Sequence, residues 1–212
     1  MPGVDRTPLL RAVADGLRSR TDELGAIMTT EIGRPLTESR DEVEWCAACF
    51  DYFAEVARSE IGRVIPPIES SQFVVVVKEP HGVVGCIVPW NFPLLLLCWK
   101  LAPALAAGNT TVCKPSELTP LSTLALGDVF AGLPDGTVNL VAGAGETGAA
   151  ISEHKGIDCV AFTGSVETGR KVGVACATRN ARANLEMGGK DPFIVCSDIG
   201  ADGLEVAARG GA

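Results

Sequence analysis

The sequence predicts an α/β fold in which helices cover both faces of a doubly wound parallel sheet. From Val83 onward, short apolar segments typical of buried strands alternate at regular spacing with segments of helical periodicity. Parallel neighbours need crossover connections, and the helical segments supply them. The chain has 212 residues, of which 47% are apolar, so it can bury one sizeable core.

Three helices are predicted before the sheet, in residues 1–62. They span Arg6–Ser19, Asp22–Ile32 and a longer segment from about Thr37 to Gly62. Each combines a charged surface with one apolar stripe at helical spacing, a pattern that most often reflects packing. We therefore expect these helices to be scaffold and assign them no chemical role.

An extended segment is predicted at residues 63–80. Pro66 and Pro67 exclude a central strand from its first half. In its second half, Gln72–Glu79 is rich in apolar residues and could form an exposed strand, which would seek a partner edge. Two alternatives stay open for that partner: another subunit, or the main domain of the same chain.

The predicted sheet brings distant loops together. Its strands are Val83–Val88, Thr110–Cys113, Val138–Val141, Cys159–Phe162 and Asn184–Met187, with helices at Pro93–Ala107, Leu121–Ala131, Thr147–His154 and Thr168–Ala177. The carboxyl ends of parallel strands share one edge, and ligands of such sheets bind there. The loops that start at Pro89, Lys114, Gly143, Thr163 and Glu186 are therefore expected along one edge.

Composition narrows the class of protein. Asp and Glu number 26 against 18 Lys and Arg, and a net charge of −8 argues against nucleic acid or an anionic membrane as partner. The most apolar run, Leu94–Ala107, is too short for a membrane span and contains Lys100. Without an export signal, the eight cysteines predict reduced thiols in a cytoplasmic protein. Cys46 and Cys49 have no further ligand nearby, so we expect core thiols and no metal site.

Two residues at strand ends could take part in chemistry. The side-chain amide of Asn91 could donate a hydrogen bond to a reacting oxygen, although an asparagine between two prolines is also typical of a turn. Glu186, followed by two glycines, is a candidate general base. An ordinary ion pair with Lys190 is the alternative for Glu186.

Three loops could bind a dinucleotide. The segment Gly143-Ala-Gly145-Glu-Thr-Gly148 fits the G-x-G-x-x-G pattern between a strand and a helix, although glycine-rich turns match it easily. In Phe162-Thr163-Gly164-Ser165, the glycine would let the backbone approach a phosphate. In Lys114-Pro115-Ser116-Glu117, the carboxylate could accept two ribose hydroxyls and would repel a 2′-phosphate, which favours NAD over NADP.

Together these segments resemble the NAD(P)-dependent aldehyde dehydrogenase superfamily. The resemblance lies in Pro89-Trp90-Asn91-Phe92-Pro93, Lys114-Pro115-Ser116-Glu117, Phe162-Thr163-Gly164-Ser165 and Leu185-Glu186-Met187-Gly188-Gly189-Lys190. It implies a Rossmann-like sheet of the aldehyde dehydrogenase type. Residues 1–62 would be helices of the cofactor domain, 63–80 an oligomerisation strand, 81–187 the NAD-binding domain and 188–212 the start of a catalytic domain.

The resemblance also implies roles for individual residues. Asn91 would be the oxyanion-hole amide, Glu186 the general base and Lys100 part of a proton relay. The implied cofactor contacts are Val88, Pro89, Trp90, Lys114, Ser116, Glu117, Gly143, Gly145, Phe162, Thr163, Gly164, Ser165 and Met187, with the two glycines of the 143–145 segment near the adenine rather than the pyrophosphate.

The activity implied is NAD-dependent oxidation of an aldehyde to a carboxylic acid through a cysteine thiohemiacetal and a thioester. The full-length form would be a homo-oligomer. Which aldehyde is used stays open, and Leu94–Leu97 suggest an apolar wall for its pocket.

One departure concerns the nucleophile. In the family a cysteine follows the general-base motif across a strand and a helix, and we expect this chain to stop inside that helix, at Ala212, before it. Cys196 comes too soon, in a predicted strand Pro192–Cys196. We therefore expect the polypeptide alone to bind the cofactor without turnover. The alternative is a non-catalytic nucleotide-binding or subunit-interaction remnant.

Overall fold

The predicted α/β class is confirmed by the computed structural model, which describes residues 1–59 and 61–210. The helices of these residues are α1 Gly3–Ser19, α2 Thr21–Ile32, α3 Leu36–Ser59, α4 Pro93–Ala106, α5 Pro120–Leu124, α6 Gly127–Phe130, α7 Gly145–Glu153, α8 Val166–Thr178 and α9 Ala201–Gly210. The strands are β1 Arg63–Ile65, β2 Val74–Val76, β3 Val83–Ile87, β4 Thr110–Lys114, β5 Val138–Leu140, β6 Cys159–Gly164 and β7 Arg182–Met187.

Five of these strands form one fully parallel sheet in the order β5-β4-β3-β6-β7. β3 lies at the centre, and the chain proceeds from it first towards β4 and β5 and later towards β6 and β7. The strand order therefore reverses between β3 and β6. In open α/β sheets the crevice at such a reversal, outside the carboxyl ends of the strands, is where ligands bind.

Alternate residues of the sheet enter two separate cores, as period-two side-chain directions require. On β3, Val84 and Cys86 face the larger core, which contains α1, α3 and α4. Ile87 faces the smaller core beneath α7 and α8, together with Val160 and Val172. Both faces of the sheet are covered, and this explains why the sheet's central strands are continuous apolar runs in the sequence.

The N-terminal helices agree with the prediction. α1 and α2 match the predicted spans within a few residues, and α2 ends at Gly33, whose φ of 79° gives the left-handed conformation that closes many helices. α3 ends at Ser59, before the predicted end at Gly62. Residue 60, inside that predicted span, lies outside the described residues.

The extended segment pairs with itself. β1 and β2 are antiparallel, with Ile65 opposite Val74, and every residue of both strands is exposed. The strand is also shorter than the predicted Gln72–Glu79. β2 therefore pairs with β1 and not with the main domain, which was one of the two predicted partners. Pairing with another subunit stays a prediction.

Two predicted elements are wrong. The single helix predicted at Leu121–Ala131 is divided into α5 and α6, and the second begins at Gly127, a residue that weakens a continuous helix. The strand predicted at Pro192–Cys196 is absent, because within the described residues no strand lies beside it to accept its hydrogen bonds. Phe193 and Ile194 are exposed as a result. The chain end at Ala212 lies outside the described residues, although α9 reaches Gly210.

Other features concern membranes, metals and thiols. No helix in residues 1–59 and 61–210 is both long and apolar enough to cross a membrane. In the same residues, no group of three His, Cys, Asp or Glu side chains is placed to hold a metal ion. All eight cysteines lie in this part of the chain and are free thiols, and Cys46 and Cys49 pack in or against the larger core as predicted.

Candidate active site

A cleft of about 1130 Å³ opens at the carboxyl edge of the sheet, where the strand order reverses. Its walls come from α3, the loop between β3 and α4, one face of α4, and the ends of β6 and β7. The lining residues are Trp45, Pro89, Trp90, Asn91, Phe92, Leu95, Leu96, Trp99, Lys100, Thr163, Gly164, Ser165, Asn184, Glu186, Met187 and Gly188.

The cleft gathers all three predicted catalytic residues, Asn91, Lys100 and Glu186, from three different elements. It also contains six of the predicted cofactor contacts: Pro89, Trp90, Thr163, Gly164, Ser165 and Met187. Although these residues are up to 98 positions apart in the chain, the parallel topology brings the loops after β3, β6 and β7 to one edge, and α4 brings Lys100 to the same place. Their roles stay predictions.

The other predicted cofactor residues lie along the same edge, outside this lining. Lys114 is buried, with its Nζ 3.6 Å from Glu117 Oε2, and it donates a hydrogen bond of 2.8 Å to the carbonyl of Pro115. The carboxylate of Glu117 is more than half exposed. The Ser116 hydroxyl accepts a 3.2 Å hydrogen bond from the backbone N–H of Leu118.

The glycine-rich turn of residues 143–148 lies beside this group. A Cβ built on Gly148 would lie 3.7 Å from Lys114 Cδ, so the start of α7 packs on the lysine stem. Gly143 and Gly145 precede and begin that helix. A side chain at Gly143 would collide with Thr147, so the tight turn needs a glycine there.

Two predicted cofactor residues have buried side chains. Val88 packs in the larger core and Phe162 in the smaller one, each with only 3% of its surface exposed. Their side chains are therefore part of the packing under the site, and only their backbones reach the edge of the sheet. The Val88 N–H, for example, donates to the carbonyl of Lys114 at 3.2 Å.

Lys100 enters the cleft from α4 with only 7% of its surface exposed. Its Nζ donates a 2.5 Å hydrogen bond to Thr163 Oγ1, and Thr163 is paired in register with Glu186 on the neighbouring strand. Burial lowers the pKa of the Lys100 ammonium, while the nearby Cys86 and Glu186 oppose that shift. The cleft thus holds a lysine and a glutamate that are each next to Thr163.

The turn between β6 and α8 presents a helix N-terminus. Ser165 is its N-cap: the Ser165 hydroxyl accepts from the Thr168 N–H at 3.2 Å and donates to Thr168 Oγ1 at 3.0 Å. The hydroxyl of Ser165, one of the implied cofactor contacts, is therefore occupied by the cap. The backbone N–H groups of the turn and the helix dipole are what this segment offers to an anion.

The loop that carries Asn91 is held by residues that the sequence analysis missed. Glu42 on α3 is fully buried, and its Oε1 accepts hydrogen bonds of 2.9 Å from the backbone N–H groups of both Leu94 and Leu95. Its Oε2 pairs with Arg34. The sequence signal was a glutamate on the apolar stripe of α3, beside Val43 and three or four positions from other buried residues.

Aromatic side chains form much of the wall. Trp45 and Trp99, which are 52% and 56% exposed, line the cleft together with Phe92. The predicted apolar wall at Leu94–Leu97 is half right, because Leu95 and Leu96 line the cleft whereas the other two leucines are fully buried in the core. Sequence reasoning assigned no role to Trp45, which belongs to a helix interpreted as scaffold, or to Trp99, although Leu94–Leu97 and Lys100 of the same helix were predicted to line the site.

Chemically, this arrangement can polarise a carbonyl and move a proton. The amide of Asn91 is a neutral hydrogen-bond donor suited to a developing oxyanion. A carboxylate such as that of Glu186 can accept a proton from water. No cysteine is among the residues that line the cleft in the described part of the chain.

The chain matches a known protein family and several named proteins over most of its length. The profile of the aldehyde dehydrogenase family matches residues 1–210. Aminoaldehyde dehydrogenase 2 of Zea mays is 46% identical over 205 residues, which make up 94% of this chain and 40% of that protein. Betaine aldehyde dehydrogenase 1 of Oryza sativa subsp. japonica is 43% identical over 208 residues, or 95% of this chain and 41% of that protein.

Solved structures give the same result. The betaine aldehyde dehydrogenase of Staphylococcus aureus, solved in complex with NAD+, superposes with a TM-score of 0.88 at 39% identity, covering 91% of this chain and 39% of that one. An aldehyde dehydrogenase from Brucella melitensis biovar abortus gives a TM-score of 0.91 at 40% identity, covering 99% of this chain and 44% of that one. This chain spans about 40% of the length of the curated relatives it matches.

Replacing Lys100 with methionine should stabilise the fold at neutral pH. Burial lowers the pKa of this lysine in the folded state, so the unfolded state binds more protons and the wild type gains stability as pH rises towards the unfolded pKa of about 10.4. The stability advantage of Lys100→Met should therefore be largest near pH 7 and shrink towards pH 10.5. Urea denaturation of both proteins at several pH values measures it.

The matched control is Lys155→Met, which changes an exposed lysine outside the cleft. Its difference from the wild type should be small and constant with pH. A Lys100→Met advantage that grows with pH would show that the buried ammonium is not destabilised by its surroundings.

Proposed function

This chain belongs to the aldehyde dehydrogenase family, and from that premise we propose that it forms the NAD-binding part, with the oxyanion amide and the general base, of an enzyme that oxidises an aldehyde to a carboxylic acid. The observation that carries the proposal is the cleft at the point where the strand order reverses. It brings Asn91, Lys100 and Glu186 together beside the turn that begins α8.

The sheet edge fits a dinucleotide. The N-terminus of α8 suits a diphosphate. Packing requires the glycine at position 164, because a Cβ there would lie 2.6 Å from the Phe162 ring. On the β4 side, the exposed carboxylate of Glu117 suits ribose hydroxyls and disfavours a 2′-phosphate, so we propose NAD rather than NADP. When bound, NAD supplies the hydride acceptor for aldehyde oxidation.

The protein's own groups divide the remaining work. The Asn91 amide, on the loop before α4, would hold the oxygen of the substrate carbonyl as negative charge develops on it. Glu186, near the end of β7, would take a proton from the water that releases the acid product. Lys100 Nζ, which donates a hydrogen bond to Thr163 beside Glu186, would keep a positive charge near that carboxylate and orient the Thr163 side chain.

The reaction also needs a nucleophile, and the described cysteines do not supply one to the cleft. Cys86, close enough to influence Lys100, is fully buried. A hydrogen bond with Cys113, together with burial, raises the pKa of the Cys86 thiol far above its usual value, which makes it unreactive. We propose that the 212-residue polypeptide by itself binds NAD but does not turn over aldehyde. Steady formation of NADH from NAD and an aldehyde would contradict this.

A second candidate function is that of a non-catalytic nucleotide-binding or subunit-interaction protein, and the exposed β1–β2 pair suits a subunit contact. Both candidates predict NAD binding. Only the enzyme requires a cleft that recognises a substrate, so substrate-like ligands separate the two.

For the substrate we propose an aldehyde that carries an amino or trimethylammonium group. Trp45 and Trp99 line the cleft, and aromatic faces attract cations. The relatives named aminoaldehyde and betaine aldehyde dehydrogenases agree with this class.

We also propose a homo-oligomer for the whole protein, with the exposed β1–β2 pair as one contact. Location in the cytoplasm stays a prediction, because relatives named peroxisomal and chloroplastic are also similar to this chain.

Calorimetric titration should detect NAD binding to the polypeptide. Glu117→Ala should weaken the affinity for NAD by about ten- to a hundredfold, because a hydrogen bond to a charged group contributes roughly 1.5–3 kcal/mol. The same change should narrow the preference for NAD over NADP. The control is Glu153→Ala, an exposed acid at the far end of α7, which should leave both affinities unchanged. Absence of heat at millimolar NAD would contradict the proposed function.

Cation recognition can be tested with choline and its uncharged isostere 3,3-dimethyl-1-butanol, which differ only by nitrogen or carbon at the branched centre. Choline should bind more tightly, with tryptophan fluorescence as readout, and Trp99→Leu should reduce the difference by roughly two- to fivefold. Tyr52→Leu, which alters an exposed aromatic residue of α3 outside the cleft, is the control. Equal binding of both probes would exclude the proposed substrate class.

A further inference from the structure

We propose that Glu42 is a positioning residue for Asn91, fixing the loop from which the Asn91 amide enters the cleft. The proposal rests on the function proposed above for Asn91. Glu42 lies on α3, outside the residues that line the cleft, and it acts through the first turn of α4 and through Arg34.

The carboxylate of Glu42 has a partner for each of its oxygens. The side chain of Glu42 is fully buried, and a buried carboxylate is tolerated only where its oxygens are hydrogen-bonded and its charge is paired. Both conditions are met. One oxygen accepts two backbone hydrogen bonds, and the other is paired with the Arg34 guanidinium.

Glu42 caps the N-terminus of α4. α4 begins at Pro93, and its N-cap residue Phe92 has no side chain that can cap the helix. The orphan N–H groups of Leu94 and Leu95 are satisfied instead by Glu42, from a different helix. A carboxylate at this end also agrees with the helix dipole. Capping from α3 fixes where α4 begins relative to α3, which a local cap would not do.

Arg34 connects Glu42 to the loop that carries Asn91. Arg34 is held by Glu42, and its guanidinium lies 4.8 Å from the centre of the Phe92 ring. Arg34 Nη1 also lies 3.5 Å from the backbone carbonyl oxygen of Asn91. Asn91 is therefore restrained through its own carbonyl on one side and through the start of α4 on the other, so that its exposed amide has a defined direction.

The test is NMR spectroscopy of the ¹⁵N-labelled 212-residue chain, which needs neither NAD nor turnover. The resonance of the Asn91 side-chain amide is assigned by its loss in Asn91→Asp. In the double variant Arg34→Met/Glu42→Met, apolar side chains replace the buried pair, and such replacements often leave a fold stable. We expect the Asn91 amide signals to shift or broaden and hydrogen exchange at Leu94 and Leu95 to rise at least about tenfold.

Glu42→Gln separates the link between Glu42 and α4 from the link between Glu42 and Arg34. The glutamine oxygen can still accept from Leu94 and Leu95, whereas the ion pair with Arg34 is lost. Exchange at these two amides should stay within about threefold of the wild type while the Asn91 signals still move. If the double variant fails to fold, this single change gives the decision.

The control Arg18→Met/Glu44→Met removes an exposed pair between α1 and α3, in which Arg18 Nε lies 3.7 Å from Glu44 Oε2. It should leave Asn91, Leu94 and Leu95 unchanged. Unmoved Asn91 signals in both Glu42 variants would overturn the proposal, as would exchange that rises equally throughout α1 and α4. Because these readouts are independent of the cofactor, failure of NAD binding would count against the proposed function and not against this inference.

Discussion

The parallel hydrogen bonding of β3 to both β4 and β6 is the constraint on which the rest of the structure depends. Val84 is in register with Thr111 on one side and with Cys159 on the other. Since all the strands of this sheet run in one direction, their carboxyl ends meet at one edge, and the loops after β3, β6 and β7 close around a cleft. The proposed ribose-binding segment after β4 follows the same edge. Loss of this register would disperse every candidate functional residue at once.

Helix α4 positions the polar side chains of the cleft relative to the sheet. At its start, buried Glu42 accepts hydrogen bonds from the first backbone N–H groups of the helix. About two turns later, the helix places Lys100 against Thr163 of β6. Each charged side chain is tolerated in its buried position because it has a specific partner. The helix is apolar on almost every face, and its leucines fill the larger core, so its position is set by packing and refined by these two polar contacts.

Much of this was predictable from the sequence, for physical reasons. Buried parallel strands are uninterrupted apolar runs, so β3 and its neighbours were recognisable, and strand topology then located Asn91, Thr163 and Glu186 on one edge. Contacts between elements were not predictable. The strand expected at Pro192–Cys196 has suitable residues, but no strand of residues 1–59 or 61–210 lies beside it, and a partner strand is a tertiary property. Glu42 was missed because helical periodicity identifies a buried face without telling which backbone groups a charge on that face will meet.

The most direct test of the central claim, that the carboxyl edge of this sheet binds NAD beside the Asn91 cleft, is amide chemical-shift mapping during an NAD titration. The account predicts that shifts concentrate in three segments that are far apart in sequence: residues 114–117, 143–148 and 163–166. The amides of α1 and of the β1–β2 pair should not move. Shifts confined to one of these segments, or spread over the opposite edge of the sheet, would contradict it.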